Sequence, residues 1–122
     1  MIKEQTIEII PVSDLVERVR RCAAEGWRLV QINATTLAHR FEVNYSFDRD
    51  YVLLTLRIEL SLEQPAVPSV SGVYLSAFLY ENEIHDLWGI QINGIAVDYK
   101  GTFYRTTVKM PFGATKMPKE AA

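Results

Sequence analysis

Glu81, Glu83, His85 and Asp86 are the one place where this sequence concentrates acid–base chemistry. Paired carboxylates beside an imidazole do general acid–base work when burial shifts their affinities for protons. The spacing argues against that use here. The surrounding residues read as helix, so these four side chains leave the backbone in different directions and cannot converge on one substrate. Metal binding fares no better. His85 with Glu81 or Asp86 supplies two ligands and no third. His39 lies far away in the sequence, and no pair of histidines shows ligand spacing. The one cysteine, Cys22, cannot close an internal disulfide, and an iron–sulfur cluster usually takes four thiolates. No phosphate-binding glycine loop, nucleophile elbow or H-E-x-x-H zinc motif occurs. The expectation is a chain with no catalytic, cofactor-binding or metal-ligating residues of its own.

If those residues do no chemistry, the stretch that carries them must do something else. From Pro68 to Gly94 the sequence reads as one long helix, apolar on nearly every side. Pro68-Ser69 is the start signal, with Ser69 as N-cap, and Gly89 is the stop. At about 3.6 residues per turn, Val70, Val73, Tyr74, Ala77, Ile84 and Trp88 share one face. Glu81 falls inside that apolar stripe, with His85 four residues on and within reach, and the carboxylates of Glu81 and Asp86 would accept from backbone N–H groups or from a partner's arginine. Leu75 and Leu79 lie on the opposite side with Glu83 and Asp86. A helix apolar on two sides needs two partners, one of them the protein's own sheet and the other a second protein. A buried Trp88 would anchor the helix end, and aromatic anchors with an acidic rim are typical of interface centres.

The run Glu81-Asn82-Glu83-Ile84-His85-Asp86-Leu87-Trp88-Gly89-Ile90 resembles the E-R-E-x-x-D-x-(aromatic)-G-I signature of the complex I 30-kDa subunit family. That family comprises the C subunit of NADH-quinone oxidoreductase and its relatives. Pro68-Ser69-Val70 and the stretch from Tyr74 to Tyr80 resemble the segment that leads into the signature, so the likeness covers roughly residues 65 to 94. Asn82 stands where the family has arginine. After Gly94, Ile95-Ala96-Val97-Asp98-Tyr99 replaces the His-Pro-x-Leu-Arg-Arg stretch of longer members. That replacement and the short length make the chain most like the small homologous subunit of energy-converting, membrane-bound NiFe hydrogenases. The resemblance implies a non-catalytic subunit that braces a catalytic large subunit and an iron–sulfur subunit. In such a complex, NiFe centre and iron–sulfur clusters sit in the partner chains, and ferredoxin-linked hydrogen chemistry is coupled to ion translocation. The alternatives are a short member of the same family in a quinone- or other-acceptor oxidoreductase, or a free-standing homodimeric binding module. Signature and contact residues are then Glu81, Glu83, Asp86, Trp88, Gly89, Leu75 and Leu79.

The rest of the chain must supply the sheet against which that helix packs. Residues 4 to 10 read as a first strand, ended by Pro11. Val12, Leu15, Val16, Val19, Cys22 and Ala23 recur at helical spacing up to Gly26, with Ser13 or Asp14 as cap and Asp14–Glu17 as a capping box. Cys22 sits on the apolar stripe, a small core residue. Arg18, Arg20 and Arg21 fall on the polar side as a solvated face. Trp27 to Leu37 reads as a strand. Phe41, Val43, Tyr45 and Phe47 alternate with polar residues in the next, and Asp48-Arg49-Asp50 is a turn. Leu54, Leu56, Ile58, Leu60 and Leu62 make the last and central strand, followed by Gln64-Pro65-Ala66-Val67 as a loop. Ile90 and Ile92 suggest a further short strand or an extended arm, and Tyr99 to Val108 has β-like content. The prediction is an α+β domain over residues 1–108. It has an antiparallel or mixed sheet of three to four strands, an N-terminal amphipathic helix, and the long helix across it. Residues 109–122 form an arm expected to be flexible unless bound.

Composition excludes several classes. A net charge of -2, with no basic stripe among aromatics, argues against nucleic acid. Hydrophobic residues at 48% and charged residues at 23% are ordinary globular values. No stretch approaches the ~18 to 20 apolar residues of a membrane span, and no signal-peptide pattern occurs. The chain is expected on the cytoplasmic side, peripheral to the membrane through its complex.

Overall fold

The computed structural model describes residues 4–94. Its elements run β1 (Glu4–Ile9), α1 (Leu15–Ala24), β2 (Arg28–Thr36), β3 (Arg40–Arg49), β4 (Val52–Ser61), β5 (Ala66–Pro68), α2 (Ala77–Trp88) and β6 (Gln91–Asn93). This is the expected α+β class with a mixed sheet. β1 to β4 form one sheet in the order β1-β4-β3-β2, with β1 parallel to β4 and the other pairs antiparallel. β5 and β6 pair in parallel as a separate small sheet.

Period-two alternation builds the core. Phe41, Val43, Tyr45 and Phe47 of β3 face across to Leu60, Ile58, Leu56 and Leu54 of β4. All but Leu54 are buried, and Leu54 packs against the rest. Leu15, Val19 and Cys22 of α1 and Ala77 and Ile84 of α2 join the same cluster. The opposite sheet face is a polar ladder. Asn44 Nδ2 donates to Asn33 Oδ1 at 3.1 Å, Arg57 Nε donates to Asn44 Oδ1 at 2.9 Å, and Ser46 and Thr55 share a bond of 3.1 Å.

Several local expectations shift for physical reasons. The hairpin between β3 and β4 closes at Asp50-Tyr51, both with positive φ (50° and 68°), rather than at Asp48-Arg49-Asp50. Such two-residue turns match the strand twist. Asp48 stays in the strand, held by Arg28 through bonds of 3.0 and 2.7 Å. α1 is preceded by a single 3-10 turn at Val12–Asp14, and Asp14 makes no side-chain cap, so the capping box is absent. Arg18 is not simply solvated. Its guanidinium pairs with Glu8 of β1 at 2.9 Å, tying α1 to the sheet edge, while Arg20 and Arg21 are exposed. Within the stretch read as a loop at 64–67, Ala66–Pro68 is strand, because Pro65 O accepts from Gln91 N and Asn93 O accepts from Ser69 N. Ile92 accordingly lies in β6. The β-like stretch from Tyr99 to Val108 and the arm at 109–122 lie outside the described residues.

The largest correction concerns the long helix. α2 begins at Ala77 with Ser76 as N-cap, not at Pro68 with Ser69. The segment between is a series of turns. Val73 N and Tyr74 N both donate to Val70 O, Ala77 N to Tyr74 O, and Phe78 N to Leu75 O. Two β-branched valines and Gly72 weaken the helical state there, and Glu81 captures the ends that would have continued it. The C-terminus is as expected. Gly89 sits at φ 76°, and its N–H donates to His85 O. Gly89→Ala is therefore expected to lower stability by about 1–2 kcal/mol, the cost of a left-handed Cβ. A shifted denaturant midpoint at unchanged slope is the check.

Candidate functional site

Glu81 is the centre of the α2 region. Its side chain is fully buried, as the apolar stripe requires. Its carboxylate accepts from a backbone N–H, one of the two alternatives the sequence offered, and does so by reaching the turn segment before the helix instead of His85. Oε2 accepts from Val70 N at 2.7 Å, and Oε1 accepts from Ser69 Oγ at 2.7 Å. Ser69 Oγ also accepts from Ser71 N at 3.0 Å and lies 2.7 Å from Ser71 Oγ. Burial pushes the Glu81 carboxyl up from its ordinary range, and the bonds from Ser69 and Val70 pull the other way. The signal for this network was present in the sequence as Ser69-Val70-Ser71, but a reading of Ser69 as N-cap hides it.

His85 turns to Asp86 instead, with Nδ1 3.3 Å from Oδ1. Asp86 was expected on the outer side and is 7% exposed, so it does not face solvent with the leucines. A helical wheel treats one azimuth as a single surface from end to end. Along α2 the neighbourhood changes, because the chain reverses at Gly89 and β6 packs back against the helix. Glu83 is half-buried. Asn82, in the family's arginine position, is buried and donates to Phe78 O at 2.8 Å.

Of the other outward residues, Leu79 stands on α2 as the wheel placed it, and Leu75 lies in the turn segment just before the helix. Leu75 is 66% exposed and Leu79 46% exposed, four residues apart where α2 begins. On the inner side, Val70, Ala77 and Ile84 are buried, and Val73, Tyr74 and Trp88 pack against the core. Two tyrosines fasten this unit to β2. Tyr74 OH donates to Trp27 O at 2.6 Å, and Tyr80 OH donates to Val30 O at 3.0 Å. The second bond meets an irregularity between Leu29 and Gln31, where Val30 leaves the strand ladder.

A concavity lies between β1, α1 and β4, lined by Glu8, Arg18, Cys22, Trp27 and Leu54 among others. Burial pushes the Cys22 thiol up, which disfavours the nucleophilic thiolate. Arg49 stacks 4.7 Å from the Trp27 ring centroid beside it. Among the described residues no three His, Cys, Asp or Glu side chains come together as a metal site. Nor is any helix among them long and apolar enough to cross a membrane.

A four-stranded sheet with both helices in one core, a signature helix locked inward by a carboxylate, and leucines left outward define a domain of the α+β class. Residues 8–112 match the family model for the respiratory-chain NADH dehydrogenase 30 kDa subunit, and the chain belongs to that family. Over 58 residues it is 40% identical to the C subunit of NADH-quinone oxidoreductase from Jannaschia sp. (strain CCS1), covering 47% of this chain and 28% of that protein. The match thus spans little more than a quarter of that relative's length. Two solved structures share the fold. One is a chain of the membrane-bound sulfane sulfur reductase, an archaeal respiratory membrane complex, with TM-score 0.67, 20% identity, and coverage of 80% of this chain and 62% of that one. The other is the trypsin-resistant fragment (1–134) of Nqo5, with TM-score 0.65, 24% identity, and coverage of 75% and 80%.

Proposed function

We propose that this chain is a non-catalytic structural subunit of a membrane-bound, complex I-related respiratory assembly. Within that class, the reading we favour is the small subunit of an energy-converting NiFe hydrogenase, bracing the catalytic large subunit and the iron–sulfur subunit. The observation that carries the structural role is the pair Leu75 and Leu79, exposed at the start of the signature helix while the inner side of that helix is filled by the core. Family membership supports an assembly of the complex I type. The hydrogenase branch is supported by Ile95-Ala96-Val97-Asp98-Tyr99, which replaces the stretch found in longer members. Attachment to the membrane would be indirect, through partner subunits.

A short family member serving a quinone- or other-acceptor oxidoreductase is the second reading. The Jannaschia relative, part of a quinone oxidoreductase, and the sulfane sulfur reductase chain favour it. Affinity purification of the tagged chain from solubilised native membranes separates the readings. Co-purification of a NiFe large subunit with hydrogen evolution supports the first. A complex with the same subunit plan that reduces another acceptor and evolves no hydrogen supports the second. A monodisperse homodimer with no larger subunits would overturn both in favour of a free-standing binding module.

In this reading the electrons stay in other chains. Elemental analysis of the purified, folded chain is expected to find iron and nickel well below one atom per chain. Stoichiometric metal would overturn the non-catalytic assignment, since a bound centre would need ligands that Cys22 and two separated histidines do not provide.

A further inference from the structure

We propose that Glu81, Ser69 and Ser71 form a buried proton-binding site, in which a chain of hydrogen bonds reverses direction when a proton arrives. The proposal goes beyond the assembly role and does not depend on it. The site is built from a fully buried carboxylate and two hydroxyls in line: Glu81 Oε1 to Ser69 Oγ at 2.7 Å, then Ser69 Oγ to Ser71 Oγ at 2.7 Å. Val70 N holds the other carboxylate oxygen at 2.7 Å.

A hydroxyl has one donor and two acceptor sites, and this arrangement uses them in either protonation state. In the ionised state Ser69 donates its hydrogen to Oε1 and accepts from Ser71 N and from the Ser71 hydroxyl. In the protonated state a proton from water forms an O–H bond at Oε1, which then donates to Ser69 Oγ. The Ser69 hydrogen turns to Ser71 Oγ, while Ser71 N–H and Val70 N–H keep their acceptors. No heavy atom has to move: Ser69 Oγ, Val70 N–H and Ser71 N–H keep partners, and the Ser71 hydroxyl changes from donor to acceptor toward Ser69, so its own hydrogen turns away from Ser69 Oγ.

Charge alone does not hold Glu81 in the ionised form. Among the described residues it takes part in no ion pair. His85, one turn along α2, bonds Asp86 at 3.3 Å. From β3 the neighbouring titratable group is Tyr45, whose phenol is pushed far up, first by burial and then by the charge of Glu81. Burial correspondingly pushes the Glu81 carboxyl up. Because the folded carboxyl holds its proton more tightly than an unfolded one, its contribution to stability is complete below the unfolded value of about 4.3. That contribution is lost as pH rises through the folded value.

The test is titration of the Glu81 side-chain carboxyl carbon by NMR in the intact wild-type chain, assigned with Glu81→Gln. The expected result is a midpoint above the ordinary glutamate value of about 4.3. A midpoint at or below that value overturns the proposal, and the measurement does not depend on a variant retaining stability. Ser69→Ala separates the relay from burial alone. It removes a charge-assisted bond to the ionised form and a weaker neutral bond from the protonated form, so the midpoint should rise further. An unchanged or lowered midpoint in Ser69→Ala overturns the relay. Glu81→Gln can keep the bond from Val70 N and donate to Ser69 Oγ without ionising. Its unfolding midpoint should match wild type near pH 4 and exceed it progressively up to pH 8. The opposite trend would overturn the proposal.

Discussion

Leu75→Gln combined with Leu79→Gln is expected to weaken capture of the chain by its partner subunits about a hundredfold, while leaving the isolated fold nearly unchanged. The two leucines are 66% and 46% exposed, so the core loses nothing when they become polar. Exposed substitutions of this kind usually fall within about 0.5 kcal/mol, and at Leu79, the one within α2, glutamine is close to leucine in helix propensity. At an interface the account differs. Fully burying a leucine is worth about 1.5–3 kcal/mol, and two leucines lost together amount to roughly 3 kcal/mol, or about two powers of ten in affinity. Denaturant unfolding of the isolated variant and partner capture at several concentrations measure the two halves. A strongly destabilised domain whose capture is unchanged would place these residues in the fold instead of at the interface.

Phe47→Ala should do the reverse and cost the isolated domain about 3–5 kcal/mol, the range for deleting a buried aromatic ring. Phe47 is fully buried, paired with Leu54 across the hairpin and 5.7 Å from the Tyr74 ring. Its loss opens a cavity where the sheet, the turn segment before α2 and the Tyr74 bond to Trp27 O meet. Domains of this size are typically stable by only about 5–15 kcal/mol, so the variant should populate the unfolded state readily on warming. Calorimetry of the isolated chain provides the measurement. A cost below about 1 kcal/mol would mean that this part of the core collapses around the gap.

The two changes also divide what each level of description could decide. The alternation in β3 and β4, the apolar stripe of α1 and the glycine stop at Gly89 are local patterns. Each follows from side-chain periodicity or backbone sterics within a few residues, and each was legible in the sequence. So was the signature from Glu81 to Ile90, and with it the family, and the outward direction of Leu79 on its helix. What the sequence left open depends on contacts between distant residues. Whether residues 69–76 continue the helix is decided by a carboxylate eleven or twelve positions away, since Glu81 captures Val70 N and the Ser69 hydroxyl. Whether 66–68 is loop or strand depends on Gln91–Asn93 returning beside it. Asp86 shares a helical azimuth with Leu79, yet one is buried and the other exposed because the surroundings change along the axis. Periodicity determines which way a side chain points along its own element. Only the packed chain determines whether water or protein is waiting there.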